Sequence, residues 1–364
     1  MSEEKFEINT FLKKAISIGA SDIHLRIGER PIIRRDGKII KIDMPALTEE
    51  DLNTALNIMV PRTARSQANT AFDFDFSYEI KGVSRFRVNF SRQLGNTALV
   101  IRSIPYQIQT IEELNLPISI EQFAKLNNGL VLITGPTGSG KSTTLASLLD
   151  FINVNYPKHI VTIEDPIEFL FTGKKSIVSQ RQVGIDTTSF PDGVKYALRQ
   201  DPDVILIGEI RDKETVESAL KASETGHLVF ATMHTNDAVQ TINRIINMFE
   251  PQDRDFIRKQ VASTLRGTIA QKLVAKKDGG GRHPACEILV CTPTVKDFIE
   301  KNEIDNVYEL VKKGSFNDML TLNMSLYKLV ERDIITKEEA LDSSDNKNEL
   351  MQMFKGIYHG TKGG

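Results

Sequence analysis

Apolar residues along the first hundred positions recur with two different periods. Ile8, Phe11, Leu12, Ala15 and Ile16 share one face of a 3.6-residue repeat, which predicts an amphipathic helix closed by Gly19 in a left-handed cap. Ile23, Leu25 and Ile27 then alternate with polar residues, and Ile32-Ile33 and Ile39-Ile40 flank Asp36-Gly37, a strong hairpin signal. His24 lies on the polar side of its strand and reads as a surface or interface residue. Thr48 and Asp51 open a second helix with Leu52, Ala55, Leu56 and Met59 on one side and Pro61 at its end. Phe72, Phe74 and Phe76 alternate with Asp73 and Asp75. Phe86, Val88 and Phe90 alternate with Arg85, Arg87, Asn89 and Ser91. With a further strand over 98–104 ending at Pro105, these half-buried antiparallel strands predict a small α+β domain over residues 1–105.

A proline stands at each end of the stretch from Pro105 to Pro117, which places a linker at 106–117. The pattern then changes. Val131-Leu132-Ile133, Ile160-Val161-Thr162-Ile163, Val204-Ile205-Leu206-Ile207 and Leu228-Val229-Phe230-Ala231 are apolar, β-rich runs without alternation, as expected of parallel strands covered on both faces. Helical stretches separate them, so residues 118–364 read as an α/β domain. Beyond Asn236 the expectation is largely helical. Val239, Ile242, Ile245, Ile246 and Phe249 share one helical face, and Ile257, Val261, Leu265, Ile269 and Leu273 share another. Gly279-Gly280-Gly281 makes a turn before a short strand at Ile288-Leu289-Val290.

Composition narrows the function classes. The 364 residues carry 46 Lys and Arg against 48 Asp and Glu, so no global field draws the chain to nucleic acid or anionic lipid. No run approaches 18 apolar residues and the start, Met1-Ser2-Glu3-Glu4-Lys5, lacks signal-peptide character, which predicts a cytoplasmic protein without a transmembrane segment. Cys286 and Cys291, with no second pair, exclude a four-thiolate zinc site and read as small strand residues in a reducing compartment.

The chemistry centres on Gly135-Pro136-Thr137-Gly138-Ser139-Gly140-Lys141-Ser142, which fits G-x-x-x-x-G-K-[ST] between a predicted strand and a predicted helix beginning at Thr143. Glycines let the backbone turn its N–H groups onto an anion, and the helix directs its positive end at the same place. Lys141 adds charge for the β- and γ-phosphates of ATP, and the Ser142 hydroxyl is the expected Mg²⁺ ligand.

Three more signals end predicted parallel strands, where ligands of open α/β sheets bind. Glu164-Asp165-Pro166-Ile167-Glu168 puts two carboxylates there, either of which can position water or reach the metal through water. Val204-Ile205-Leu206-Ile207-Gly208-Glu209 resembles a Walker B strand with Gly208 at the usual metal-binding Asp position. Glu209 then serves Mg²⁺ through water or acts on the attacking water. Gly226-His227 precedes the fourth strand and Met233-His234-Thr235 follows it, so His234 is a candidate contact for the γ-phosphate.

Together with Leu198-Arg199-Gln200-Asp201-Pro202-Asp203 and Glu209-Ile210-Arg211-Asp212, these motifs resemble the Walker A, Asp box, Walker B and His box of the secretion ATPase superfamily. Ala20-Ser21-Asp22-Ile23-His24-Leu25 and the overall length are similar to the PilT-like type IV pilus retraction ATPases. The resemblance runs along nearly the whole chain. It implies a homo-hexameric ring of subunits, each a PAS-like N-terminal α+β domain followed by a RecA-like P-loop ATPase domain, acting through an inner-membrane pilus platform protein. It also implies Glu164 as general base, Glu209 as metal or water ligand, His227 and His234 as His-box members, and Arg87 and Arg102 as the paired arginines that stabilise the transferred phosphoryl group. Extension-type relatives carry extra N-terminal domains and a tetracysteine zinc site, and the resemblance leads to the expectation of neither here.

One departure keeps a second reading open. Retraction motors usually carry Ala-Ile-Arg-x-Gly in the C-terminal region, and Phe298-Ile299-Glu300-Lys301-Asn302 lacks it. An accessory PilU-like paralogue working beside a second retraction ATPase, or a ring that binds nucleotide with little hydrolysis, stands beside the motor reading. A RecA-like DNA translocase is disfavoured by the balanced charge.

Overall fold

A computed structural model describes residues 6–35, 38–61, 65, 71–104, 107–313 and 318–356. Two compact units are distinguished: Met1–Gln107 with Glu168–Leu170, and Ile108–Ile167 with Phe171–Gly364.

The first unit holds an antiparallel sheet of β1 (Asp22–Arg26), β2 (Ile32–Arg35), β3 (Lys38–Lys41), β4 (Asp73–Ile80), β5 (Ser84–Gln93) and β6 (Asn96–Ile104), in the order β3-β2-β1-β6-β5-β4. Alternation has its structural meaning here. Ile23, Leu25, Phe86, Val88, Phe90, Leu99 and Ile101 are fully buried in a core shared with the helices Ile8–Ser17 and Glu49–Met59. Each such side chain contributes roughly 1.5–3 kcal/mol of burial. The second helix starts with the expected capping box, the Thr48 hydroxyl accepting from the Asp51 N–H while the Asp51 carboxylate accepts from the Thr48 N–H. The hairpin of β2 and β3 forms as well, while its Asp36-Gly37 turn and the Pro105 strand end lie outside the described residues.

The second unit is built on a seven-stranded sheet. Its strands are β7 (Gly129–Thr134), β8 (His159–Glu164), β9 (Ile177–Gln182), β10 (Val204–Ile207), β11 (Leu228–Met233), β12 (Leu265–Ala275) and β13 (Arg282–Val290), ordered β13-β12-β7-β11-β10-β8-β9. All neighbouring pairs are parallel except β12 with β13. The unalternating runs are explained by two covered faces. Leu130 and Leu132 pack into one buried cluster and Val131 and Ile133 into the other. Ile111 and Leu116 are buried in the second of these clusters.

One expected helical face is corrected. Ile257 and Val261 do belong to a helix, Arg254–Thr264, but Leu265, Ile269 and Leu273 lie on β12. A spacing of four satisfies both the helical repeat and the two-residue repeat of a strand, so the pattern could not separate them. Gly267 favours the strand: a Cβ there would lie 2.3 Å from the Phe123 ring and 2.5 Å from the Leu289 carbonyl oxygen. The short strand expected at 288–290 is the end of the longer β13, and β9 carried no clear sequence signal because it is an edge strand with mostly half-buried side chains. Cys286 and Cys291 are buried free thiols, pushed up to about 12 by that burial and so held protonated.

Candidate nucleotide site

The phosphate loop leaves β7 at the carboxyl edge of the sheet and runs into the helix Lys141–Asn155. Gly140 caps this helix in the left-handed region, at φ 88°, and opens the first turn toward the loop. Pro136, Thr137 and Gly138 form its exposed tip, Ser142 and Thr143 are half-buried, and Ser139 and Lys141 are buried. The Lys141 Nζ donates to the carbonyls of Gly135 (2.9 Å) and Pro136 (3.0 Å), so the ammonium lies inside the curve of the loop.

Sheet register brings the acidic motifs to the same edge. Ile207 pairs with Ile163 and with Ala231, which sets Gly208 beside Glu164 and Thr232. The Gly208 N–H donates to the Ile163 carbonyl at 2.8 Å, and its own carbonyl accepts from the Thr232 hydroxyl at 2.6 Å. A Cβ at Gly208 would lie 3.3 Å from the Glu164 Cα, so a glycine there permits a close approach of the two strand ends. Glu164 is buried, and its Oε1 accepts from the Thr162 hydroxyl (2.7 Å) and the Gln180 side-chain amide (3.3 Å).

Glu209 engages both oxygens: Oε1 lies 3.0 Å from His234 Nε2, and Oε2 accepts from Arg211 at 2.7 Å. Burial would raise its carboxyl, but the Arg211 hydrogen bond, with the charges of His234, Arg211 and Lys141, outweighs that and holds it below the usual carboxylate range. His234 follows β11, whose last residue, Met233, pairs with Thr134 at the foot of the loop.

His227 stands elsewhere. It precedes β11, six residues before its end, which is about 20 Å along a strand. Its ring Nδ1 bonds with the Ala222 carbonyl (3.0 Å) and the Thr225 hydroxyl (3.2 Å) behind the helix Lys213–Glu224. Within one chain it is not brought to the loop.

Arg87 and Arg102 meet in the first unit as direct cross-strand partners on β5 and β6. Arg87 pairs with Asp75 at 3.2 Å and Arg102 with Asp22 at 2.8 Å, so each guanidinium is oriented by a carboxylate on the neighbouring strand. Burial would raise the Asp22 carboxyl, but the Arg102 and Ser21 hydrogen bonds and the Arg102 charge bring it below its ordinary value.

Sequence reasoning missed two contacts. Arg211 stands two residues after Glu209, and that spacing is the signal the sequence carries for it. Gln271 of β12, against the loop, had none, because its stretch reads as a helix.

Six parallel strands with helices on both faces, and a phosphate loop on the same sheet edge as two strand-end carboxylates, define a RecA-like P-loop ATPase preceded by an α+β unit. The sequence family described as Type II/IV secretion system protein matches residues 4–288, and the chain belongs to it. The type IV pilus retraction ATPase PilT of Pseudomonas aeruginosa is 41% identical over 338 residues, 93% of this chain and 98% of that protein. The type IV pilus ATPase PilU of the same organism is 37% identical, covering 96% and 91%. A crystal structure of the pilus retraction motor PilT with bound ADP superposes with a TM-score of 0.90 at 45% identity, covering 96% of this chain and 100% of that one. The site is therefore a nucleotide-binding site. No helix among the described residues is long and apolar enough to cross a membrane.

Proposed function

We propose that this chain hydrolyses ATP with Mg²⁺ as one subunit of a homo-hexameric ring and that the ring drives type IV pilus retraction. The observation that carries the reading is that the loop after β7, Glu164 at the end of β8 and the Glu209–His234 pair all lie at the carboxyl edge of one parallel sheet. The relative named for pilus retraction, at 41% identity over 93% of the chain, supports the physiological half.

Two carboxylates at one edge take different parts. Glu209 is bound through both oxygens by cationic or proton-donating partners and held low, which makes it a poor proton acceptor and keeps it anionic. Glu164 is the general base that takes the proton of the attacking water. Lys141 offsets charge on the β- and γ-phosphates, with the loop N–H groups and the helix end beside it. The donor set suits Mg²⁺: the Ser142 hydroxyl and the ionised Glu209 are hard oxygen donors, and no group of three or more His, Cys, Asp or Glu fit to cage a metal occurs among the described residues. Bound there, Mg²⁺ would supply positive charge against the charge that develops on the phosphates. His234, in contact with Glu209, reports loss of the γ-phosphate to the end of β11. Arg87 and Arg102, from the neighbouring subunit, supply positive charge to the equatorial oxygens. The ring works at the cytoplasmic side of the inner membrane, held by the pilus platform protein.

Mg²⁺-dependent ATP turnover by the purified protein, measured with its oligomeric state, tests this. Turnover equal to that of Lys141→Ala would refute it. The missing Ala-Ile-Arg-x-Gly at 298–302 and the likeness to PilU favour, as a second reading, an accessory ATPase beside another retraction motor.

A further inference from the structure

The phosphate loop leans on a residue 132 positions further along the chain than its Ser139. Strand β12 runs parallel to β7 with Ala270 beside Thr134, the last residue of β7, so Gln271 comes level with the start of the loop. Its side chain reaches the loop at two points. Nε2 donates to the Ser139 carbonyl at 2.7 Å, and Oε1 accepts from the Thr144 hydroxyl, also at 2.7 Å. All three residues are at most 3% exposed. The packing is close as well: a Cβ at Gly135 would lie 2.3 Å from the backbone carbonyl oxygen of Gln271, and one at Gly140 would lie 2.8 Å from its side-chain Nε2. At Gly135 the β12 backbone thus leaves no room for a side chain, in addition to what the turn itself requires.

Where a peptide of the loop turns its N–H toward phosphate, its carbonyl turns the other way, and the Ser139 carbonyl points into the protein toward β12. The Ser139 carbonyl needs a donor there, and the Thr144 hydroxyl, one turn into the helix, needs an acceptor. Only a group that donates and accepts at once serves both, and a primary amide does. We propose that Gln271 is a positioning residue for the phosphate loop, clamping the Ser139 peptide to the first turn of the following helix in the orientation that receives the β- and γ-phosphates. The proposal rests on the reading that this loop binds ATP.

The test uses the full chain, with ADP affinity followed by a fluorescent analogue from pH 8 down to pH 5.5. Gln271→Leu fits the space but leaves both partners unmet, and should weaken ADP by about tenfold or more, the scale of a buried carbonyl left without its donor. Gln271→Glu should be weakened similarly at pH 8, where an ionised carboxylate opposes the Ser139 carbonyl. Relative to wild type it should recover as pH falls, because the protonated carboxyl again donates and accepts. A purely structural lesion gives no such recovery. Should Gln271→Leu fail to fold, the pH profile of Gln271→Glu decides. Wild-type affinity in the variants, or a loss in Gln271→Glu that is the same at every pH, overturns the clamp while leaving the ATPase reading intact. A wild-type protein that binds no ADP overturns both.

Discussion

Glu164→Gln separates the two carboxylates of the site by changing basicity and little else. The amide is close to isosteric, and its oxygen can keep the hydrogen bonds that Oε1 accepts from Thr162 and Gln180. Folding stability should therefore change by no more than about 1 kcal/mol, the net scale of one hydrogen bond. ADP affinity should stay within a few-fold of wild type, because Lys141 and the loop are untouched. Turnover is different. A positioned general base is worth ~10²- to 10⁴-fold, which at 1.36 kcal/mol per decade is about 2.7–5.4 kcal/mol of barrier. The assay is steady-state ATP turnover on protein whose melting temperature and ADP affinity have been measured alongside. Turnover near wild type would move the base to Glu209 and refute the argument that Glu209's two partners make it a poor proton acceptor. An equal loss of affinity and turnover would make Glu164 a structural residue of β8.

Lys141→Ala should lose both nucleotide affinity and turnover, since the charge inside the loop is gone. Mixed with Arg87→Ala, also nearly inactive alone, it should recover part of the activity, because some interfaces then pair an intact loop with an intact arginine; mixed rings without recovery would refute the shared site. Glu287 of β13 is pushed up to about 7, chiefly by burial, partly opposed by the Ala238 N–H donating to its Oε1 at 2.8 Å. The folded state therefore holds a proton that the unfolded chain releases near pH ~4.3, so this group's contribution to stability is full below that value and is lost as pH rises to about 7. Urea midpoints of Glu287→Gln should show a flatter decline than wild type between pH 5 and pH 8, and parallel curves would place the carboxyl in an ordinary environment. Deletion in the host should leave pili assembled and abolish or weaken surface motility, scored by microscopy and surface spreading; loss of pili would point to an extension motor instead.

The sequence by itself determined what depends on neighbours along the chain. The spacing from Gly135 to Ser142, the runs that became β7, β8, β10 and β11, and the alternation of Phe86, Val88 and Phe90 are local patterns. Short-range geometry and burial fix their meaning wherever the segment ends up. Even the class of site was legible, because a phosphate loop and strand-end acids share one edge in any parallel sheet of this kind. Tertiary structure decided what depends on strand order and register. It put Leu265 to Leu273 on a strand, because the gap beside β7 buries that stretch on both faces and Gly267 lets Phe123 close over it. It placed His234 against Glu209 and His227 at the opposite end of the same strand, though both look alike as residues flanking a β-run. It also paired Arg87 with Arg102 across β5 and β6, and brought Gln271 to the loop. Contacts between residues so far apart carry no periodicity in sequence, since the chain between them sets only the cost of closing the loop, and packing in the sheet selects which side chains meet.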